Sequence, residues 1–138
     1  METHTLDLEC ELDQYIATAM WSTNADHLDP EGTGEAGALE DHYSASDLAP
    51  ETRESMRADL ADFIQHADPR ALAFWEAELG AGSIGHDFWL TRNGHGAGFW
   101  DRFTRGVGQS FGNHLTEKAR PYGESYLYAG DDGRLYIA

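Results

Sequence analysis

The chain has 138 residues, with 25 Asp and Glu against 9 Lys and Arg, a formal charge of −16. That length suits a single domain able to bury about two-thirds of its unfolded surface, and 41% hydrophobic residues with sixteen aromatics exclude a chain disordered throughout. The charge argues against a protein that grips nucleic acid or anionic lipid over most of its surface, and no apolar run approaches the roughly 20 residues of a membrane helix.

The N-terminus METHTLDLECELD places acids where a signal peptide needs a basic region followed by an apolar one. The single cysteine, Cys10, excludes an internal disulfide framework and fits a reducing cytoplasm, the expected compartment. Leu8, Leu12, Tyr15, Ile16 and Ala19 recur at helical spacing and predict an amphipathic helix over 6–21, with Asp7, Glu9 and Glu11 favoured by the dipole at its start. Residues 22–45, with Asp29-Pro30, Gly32, Gly34 and Gly37, show no period and read as a long acidic loop, either functional or mobile. Pro50 suits the first position of a second helix with Met56, Leu60, Phe63, Ile64 and Ala67 on one face. Asp68-Pro69 starts a third, which carries Leu72, Trp75 and Leu79 and stops at Gly80.

Beyond Gly85 the aromatic runs 86–92 and 97–102 flank Asn93-Gly94, a strong hairpin signal. A two-residue turn there sets Phe88 opposite Phe99, Leu90 opposite Ala97 and His86 opposite Asp101. The other face then has Asp87 opposite Trp100 and Trp89 covering the bare backbone of Gly98. A four-residue loop ending at Gly96 would shift these partners. Val107, Phe111, Leu115 and Ala119 predict a fourth helix, and 126–129 with 134–137 flank Asp131-Asp132-Gly133 as a second hairpin. The expected fold is α+β, in the order ααα-ββ-α-ββ, with the helices on a four-stranded antiparallel sheet.

Charge is divided unevenly along this order. Residues 1–84 hold nineteen acids and three bases, while 85–138 hold six of each. We read one domain of two layers: an acidic helical layer with a mobile loop, and a neutral β-rich layer.

Four patterns carry chemistry by letter. Gly80 to Gly85 spells G-x-G-x-x-G, which binds dinucleotides when it follows a strand and opens a helix. Here it is expected to follow a helix and open a strand, so it reads as a linker. Gly108-Gln109-Ser110-Phe111-Gly112 spells a nucleophile elbow, but lacks the preceding strand and large parallel sheet, and reads as a helix start. Asp131-Asp132-Gly133 lacks the further oxygen ligands of a calcium loop and reads as a turn. Seven histidines are present without H-x-x-x-H or C-x-x-C spacing, so no metal and no cofactor is expected.

The run His86-Asp87-Phe88-Trp89-Leu90-Thr91-Arg92-Asn93-Gly94-His95-Gly96-Ala97-Gly98-Phe99-Trp100-Asp101-Arg102 resembles a motif in small acidic proteins of bacteriophages and bacterial mobile elements. The resemblance extends to Tyr126–Gly133 and, loosely, to the helix around Tyr15 and Trp21, about half of the chain. It implies a phage-like setting and no catalytic residues.

Three functions follow as expectations. The first is a non-enzymatic interaction protein that presents carboxylates to a basic, nucleic-acid-binding surface of a host protein. Helical carboxylates at i, i+4 lie about 6 Å apart in rise, against roughly 3.4 Å per phosphate along one strand; Glu9 with Asp13 has this spacing, and Asp59 with Asp62 lies one turn apart. The second is a small enzyme or ligand-binding domain using His86, Asp87, Arg92, His95 and Asp101, which requires a pocket where these groups converge. The third is a single-stranded nucleic-acid binder with Arg92, Arg102 and Arg105 beside Trp89, Trp100 and Phe103, disfavoured by the −16 charge.

Overall fold

The computed structural model describes residues 6–94 and 98–138. These residues form five α-helices, α1 (Leu8–Ser22), α2 (Pro50–His66), α3 (Pro69–Leu79), α4 (Ser83–Arg92) and α5 (Gly106–Ala119), followed by strands β1 (Leu127–Ala129) and β2 (Leu135–Ile137). Helix α1 begins where Asp7 accepts hydrogen bonds from the Glu9 and Cys10 amides, and it buries Leu12, Tyr15, Ile16 and Ala19 as its periodicity requires. Pro50 and Pro69 occupy the first turns of α2 and α3, and Asp68 caps α3 through the Arg70 amide. The β1–β2 hairpin pairs Tyr128 with Tyr136 across a turn that contains Gly133 at φ 77°.

The expected four-stranded sheet is not present. Among the described residues β1 and β2 form a two-stranded sheet by themselves, and the layer after residue 84 is mainly helical. Residues 86–92, read as a strand, lie in α4, and Phe99–Asp101 is a short 3-10 turn, so the strand pairings of His86 with Asp101, Asp87 with Trp100 and Phe88 with Phe99 are not formed, while that of Leu90 with Ala97 lies outside the described residues. His95, Gly96 and Ala97, the expected hairpin tip, lie outside the described residues. Helix α4 misleads because it is buried almost all round, from Ile84 to Arg92, which erases the apolar–polar period that marks a surface helix. Asn93-Gly94 ends this helix, with Gly94 at φ 70° in the place of a C-terminal stop glycine. Gly98 meets Thr91 instead of the Trp89 ring.

The glycine-rich run 80–85 likewise opens a helix and not a strand, its last three residues being the first turn of α4. Gly80 ends α3 at φ 94° and Gly82 turns the chain into α4 at φ 90°. At Gly85, α4 crosses α1 so closely that a Cβ would lie 2.0 Å from the Glu11 carbonyl oxygen. The same reasoning explains Gly108 and Gly112, the glycines of the apparent nucleophile elbow: their added Cβ atoms would meet the Phe103 ring and the Phe99 carbonyl. Ser110 is exposed near the start of α5, as a helix-start reading expects.

One continuous core unites both parts of the chain. Its centre is aromatic: Phe63 stacks on Phe88 at 4.3 Å between centroids, Tyr15 on Phe88 at 5.4 Å, and Trp75 meets Phe99 edge-on at 5.3 Å. The long loop is tied to this core by buried Ala25 and Leu39. It folds into three short turns, Asp26–Leu28, Leu39–Asp41 and Ala45–Asp47, joined by an antiparallel bridge between Asn24 and Ala38.

Gly85→Ala drives a methyl group into the α1 backbone, where neither helix can yield. The variant is expected to lose about 3 kcal/mol or more of unfolding free energy, measured by urea denaturation followed by circular dichroism.

Candidate functional site

The polar residues of α4 are mostly turned inward, and Asp87 and Arg92 are bonded on several sides. Asp87 is completely buried. Its Oδ2 accepts from Trp75 Nε1 at 2.8 Å and Arg102 Nε at 3.0 Å. Its Oδ1 accepts from Arg102 Nη2 at 2.6 Å and lies 2.9 Å from His86 Nδ1. Burial pushes the Asp87 carboxyl up, but the hydrogen bonds from His86, Arg102 and Trp75 together outweigh it and hold the group below the usual carboxylate range. The Arg102 guanidinium is raised in turn by its bonds to Asp87.

Arg92, five residues on, is also buried. Nη1 donates to Tyr15 Oη and Asp59 Oδ2, both at 2.9 Å, Nε to the Gly123 carbonyl at 2.8 Å, and Nη2 to the Tyr122 carbonyl at 2.9 Å. Its guanidinium also lies over the Phe88 and Tyr122 rings, 5.7 and 5.8 Å from their centroids. Burial pushes the Tyr15 hydroxyl up to about 12, so it serves as a neutral acceptor for Arg92.

The residues proposed from sequence for chemistry are thus brought together only in part. His86 and Asp87 touch, and Arg92 belongs to a separate cluster. The pairing of His86 with Asp101 is not formed, because Asp101 instead accepts from the Gly98 amide at 3.1 Å within its own turn. His95 lies outside the described residues. His86 and Arg102 do line a cleft of about 240 Å³ with Gln14, Ser83 and Gly82, but Asp87 already engages both. No group of three or more His, Cys, Asp or Glu among the described residues is placed to hold a metal ion.

Two groups essential to this arrangement escaped the sequence reading. Glu11 is buried, and its carboxylate accepts from the Gly82 amide at 2.8 Å and the Gly85 amide at 2.9 Å. It occupies the N-terminus of α4, where the glycine-rich motif of a nucleotide-binding protein would receive phosphate. Burial raises its carboxyl above the usual range despite those two bonds. The signal was available, since Glu11 stands three residues after Leu8 and four before Tyr15, on the apolar face of α1. Arg102, seen earlier only as a surface cation beside aromatics, is the partner of Asp87.

The four carboxylates proposed for binding divide into two kinds. Asp59 is held by Arg92, and Asp62 accepts from the Tyr122 hydroxyl and pairs with His66, so both brace α2. Glu9 pairs with Arg57 at 3.0 Å and Arg53 at 3.4 Å, and Asp13 lies 3.6 Å from Arg53, all at the solvent surface. Exposed pairs of this kind are worth about 0–1 kcal/mol and exchange readily for other partners.

Comparison with protein-family models, curated proteins and solved structures finds no match. The surface itself must therefore carry the functional argument. A cleft of about 220 Å³ lies between α1 and the 40–45 segment, with Asp13 and Glu40 on its rim and Ile16, Ala17, Met20 and Tyr43 along its sides. Glu31, Glu35, Glu51 and Glu54 are also exposed. No helix among the described residues is long and apolar enough to cross a membrane.

Asp87→Asn leaves a donor facing Arg102 and removes the charge that the guanidinium balances. It is expected to cost about 3–5 kcal/mol at neutral pH, read from urea unfolding. Because the folded carboxyl lies below its ordinary value of 3.8, its stabilisation is complete above that pH and is lost as pH falls through the lower folded value. Acid titration of the wild type should show this loss at and below that pH, and the Asn variant should lack that component.

Proposed function

We propose that this chain is a non-enzymatic interaction protein whose acidic face, formed by α1, the 22–45 segment and the start of α2, binds a basic surface of another protein. In the phage-like setting that the resemblance implies, that partner is a host protein whose basic surface otherwise meets nucleic acid. The observation that carries this reading is the cleft rimmed by Asp13 and Glu40, whose lining contains no Lys or Arg. An arginine or lysine stem can lie along Ala17 and Tyr43 while its charged head meets the two carboxylates. The exposed acids of this half of the chain would steer a basic partner from beyond the roughly 8 Å over which salt screens at physiological strength. The chemistry proposed for His86, Asp87 and Arg92 has less support, because Asp87 and Arg92 are buried and bonded to other parts of the chain.

Replacing Asp13, Glu40 and Glu54 by lysine together changes the face without touching the core. The immobilised wild type is expected to capture a basic protein from host lysate at low salt and to release it to high salt or added duplex DNA. The folded triple variant should capture none of it. Capture that survives both the reversals and high salt overturns the reading.

A further inference from the structure

The groove with the largest volume among those described lies between the end of α1 and the C-terminal hairpin, and shares no lining residue with the Asp13–Glu40 cleft. It measures about 580 Å³, within the range of roughly 300–1,000 Å³ typical of ligand sites. One wall is the segment 22–27, and the other is the run from Glu124 to Ala129, which includes the whole of β1. Leu39 and Trp89 also line it.

The hydrogen-bond register decides what this wall offers. Tyr126 and Ala138 exchange a reciprocal pair of backbone bonds at 3.2 and 3.0 Å, and the Gly130 amide donates to Arg134 at 2.8 Å. Bonded pairs alternate with unbonded ones in an antiparallel ladder, so the N–H and C=O groups of Leu127 and Ala129 point away from β2. The opposite edge of the sheet is already covered, since Leu135 O accepts from the Ala49 amide and the Thr52 hydroxyl. β1 thus leaves its outer edge unpaired by β2 beside a groove, with Leu127 buried and Ala129 half-buried, and such an edge can accept an added strand.

The groove's chemistry selects the strand. Its lining includes Asp26 and Glu124 and no Lys or Arg. Tyr126 and Tyr128 share one face of β1, their rings 6.2 Å apart, and Tyr128 stacks on Tyr136 at 5.9 Å. Both Tyr126 and Tyr128 are exposed. Such a row of rings beside carboxylates suits the guanidinium or ammonium groups of alternate residues on an added strand. A second copy of this chain is a poor occupant, because each copy brings a charge of −16.

We propose that this groove binds an extended, basic segment of the partner protein by strand addition to β1, with Arg or Lys on the tyrosine face and small apolar residues alternating toward the core. The inference rests on the reading that the partner is basic, and it locates a second contact, separate from the Asp13–Glu40 cleft.

The test uses the intact, isotope-labelled chain and a capped seven-residue peptide of alternating valine and arginine. The peptide is expected to slow amide exchange at Leu127 and Ala129 at least tenfold and to shift the Tyr126 and Tyr128 ring signals. The same peptide methylated on alternate backbone nitrogens keeps its charge but should bind at least tenfold more weakly, as should the wild-type peptide to the Asp26→Lys, Glu124→Lys double variant. Unchanged exchange at Leu127 and Ala129, or equal binding of the methylated peptide, overturns the proposal. So does protection of those amides without peptide in a concentration-dependent dimer. Peptide shifts confined to the Asp13–Glu40 cleft remove strand addition while leaving the acidic-face reading intact. Protection at β1 that persists in the Asp13, Glu40 and Glu54 triple-lysine variant supports the groove independently of that face.

Discussion

The carboxylate of Glu11, buried against the first turn of α4, is the contact on which the remaining arrangement depends. It satisfies two amides that the helix itself cannot, and it does so where Gly85 lets the two backbones touch. With that crossing set, α4 runs through the interior and its later polar residues reach structure on every side. Asp87 gathers α3 and the chain after Phe99 through Trp75 and Arg102. Arg92 gathers α1, α2 and the turn before β1 through Tyr15, Asp59 and the carbonyls of Tyr122 and Gly123. Buried charges of this kind are tolerated only when fully partnered, and both are.

That internal use of charge changes the meaning of the −16. Glu11 and Asp87 are buried, and Asp59 is committed to a buried arginine. Several loop acids close their own turns: Asp29 accepts from the Thr33 and Gly34 amides, Asp41 from Ala38 and Asp47 from Ser44. What remains for the proposed partner is a narrower set, Glu40 and Asp13 around one cleft, the latter sharing the surface Arg53 with Glu9, and Asp26 and Glu124 around another. An acidic composition therefore serves folding first, and the proposed recognition draws only on the remainder.

The helices α1, α2, α3 and α5 were legible because each has one wet face, so the periodicity of residues such as Leu12, Tyr15, Met56 and Phe63 survives in the sequence. The closing hairpin was legible from its turn chemistry at Asp131-Asp132-Gly133. Helix α4 was not, because burial on all sides leaves an unbroken aromatic run that reads equally as a strand, and Asn93-Gly94 can end a helix as well as turn a hairpin. The expected site erred for the same reason. Placing 86–102 in two strands put His86 beside Asp101, whereas helical geometry put Asp87 beside Arg102.

By itself the sequence determined the amphipathic helices, their caps, the final turn and the concentration of acid before residue 84, since these depend on spacing and residue type over a few positions. Only tertiary structure decided that Glu11 fills an anion-binding helix end, that Arg92 is a core residue and that the open edge of β1 faces a groove. Each joins residues tens of positions apart: Glu11 to Gly85, Arg92 to Tyr15, and the segment after Ser22 to Tyr128. Local pattern carries no record of such pairings, because the same glycine, arginine or short strand can meet any of several partners until the chain packs.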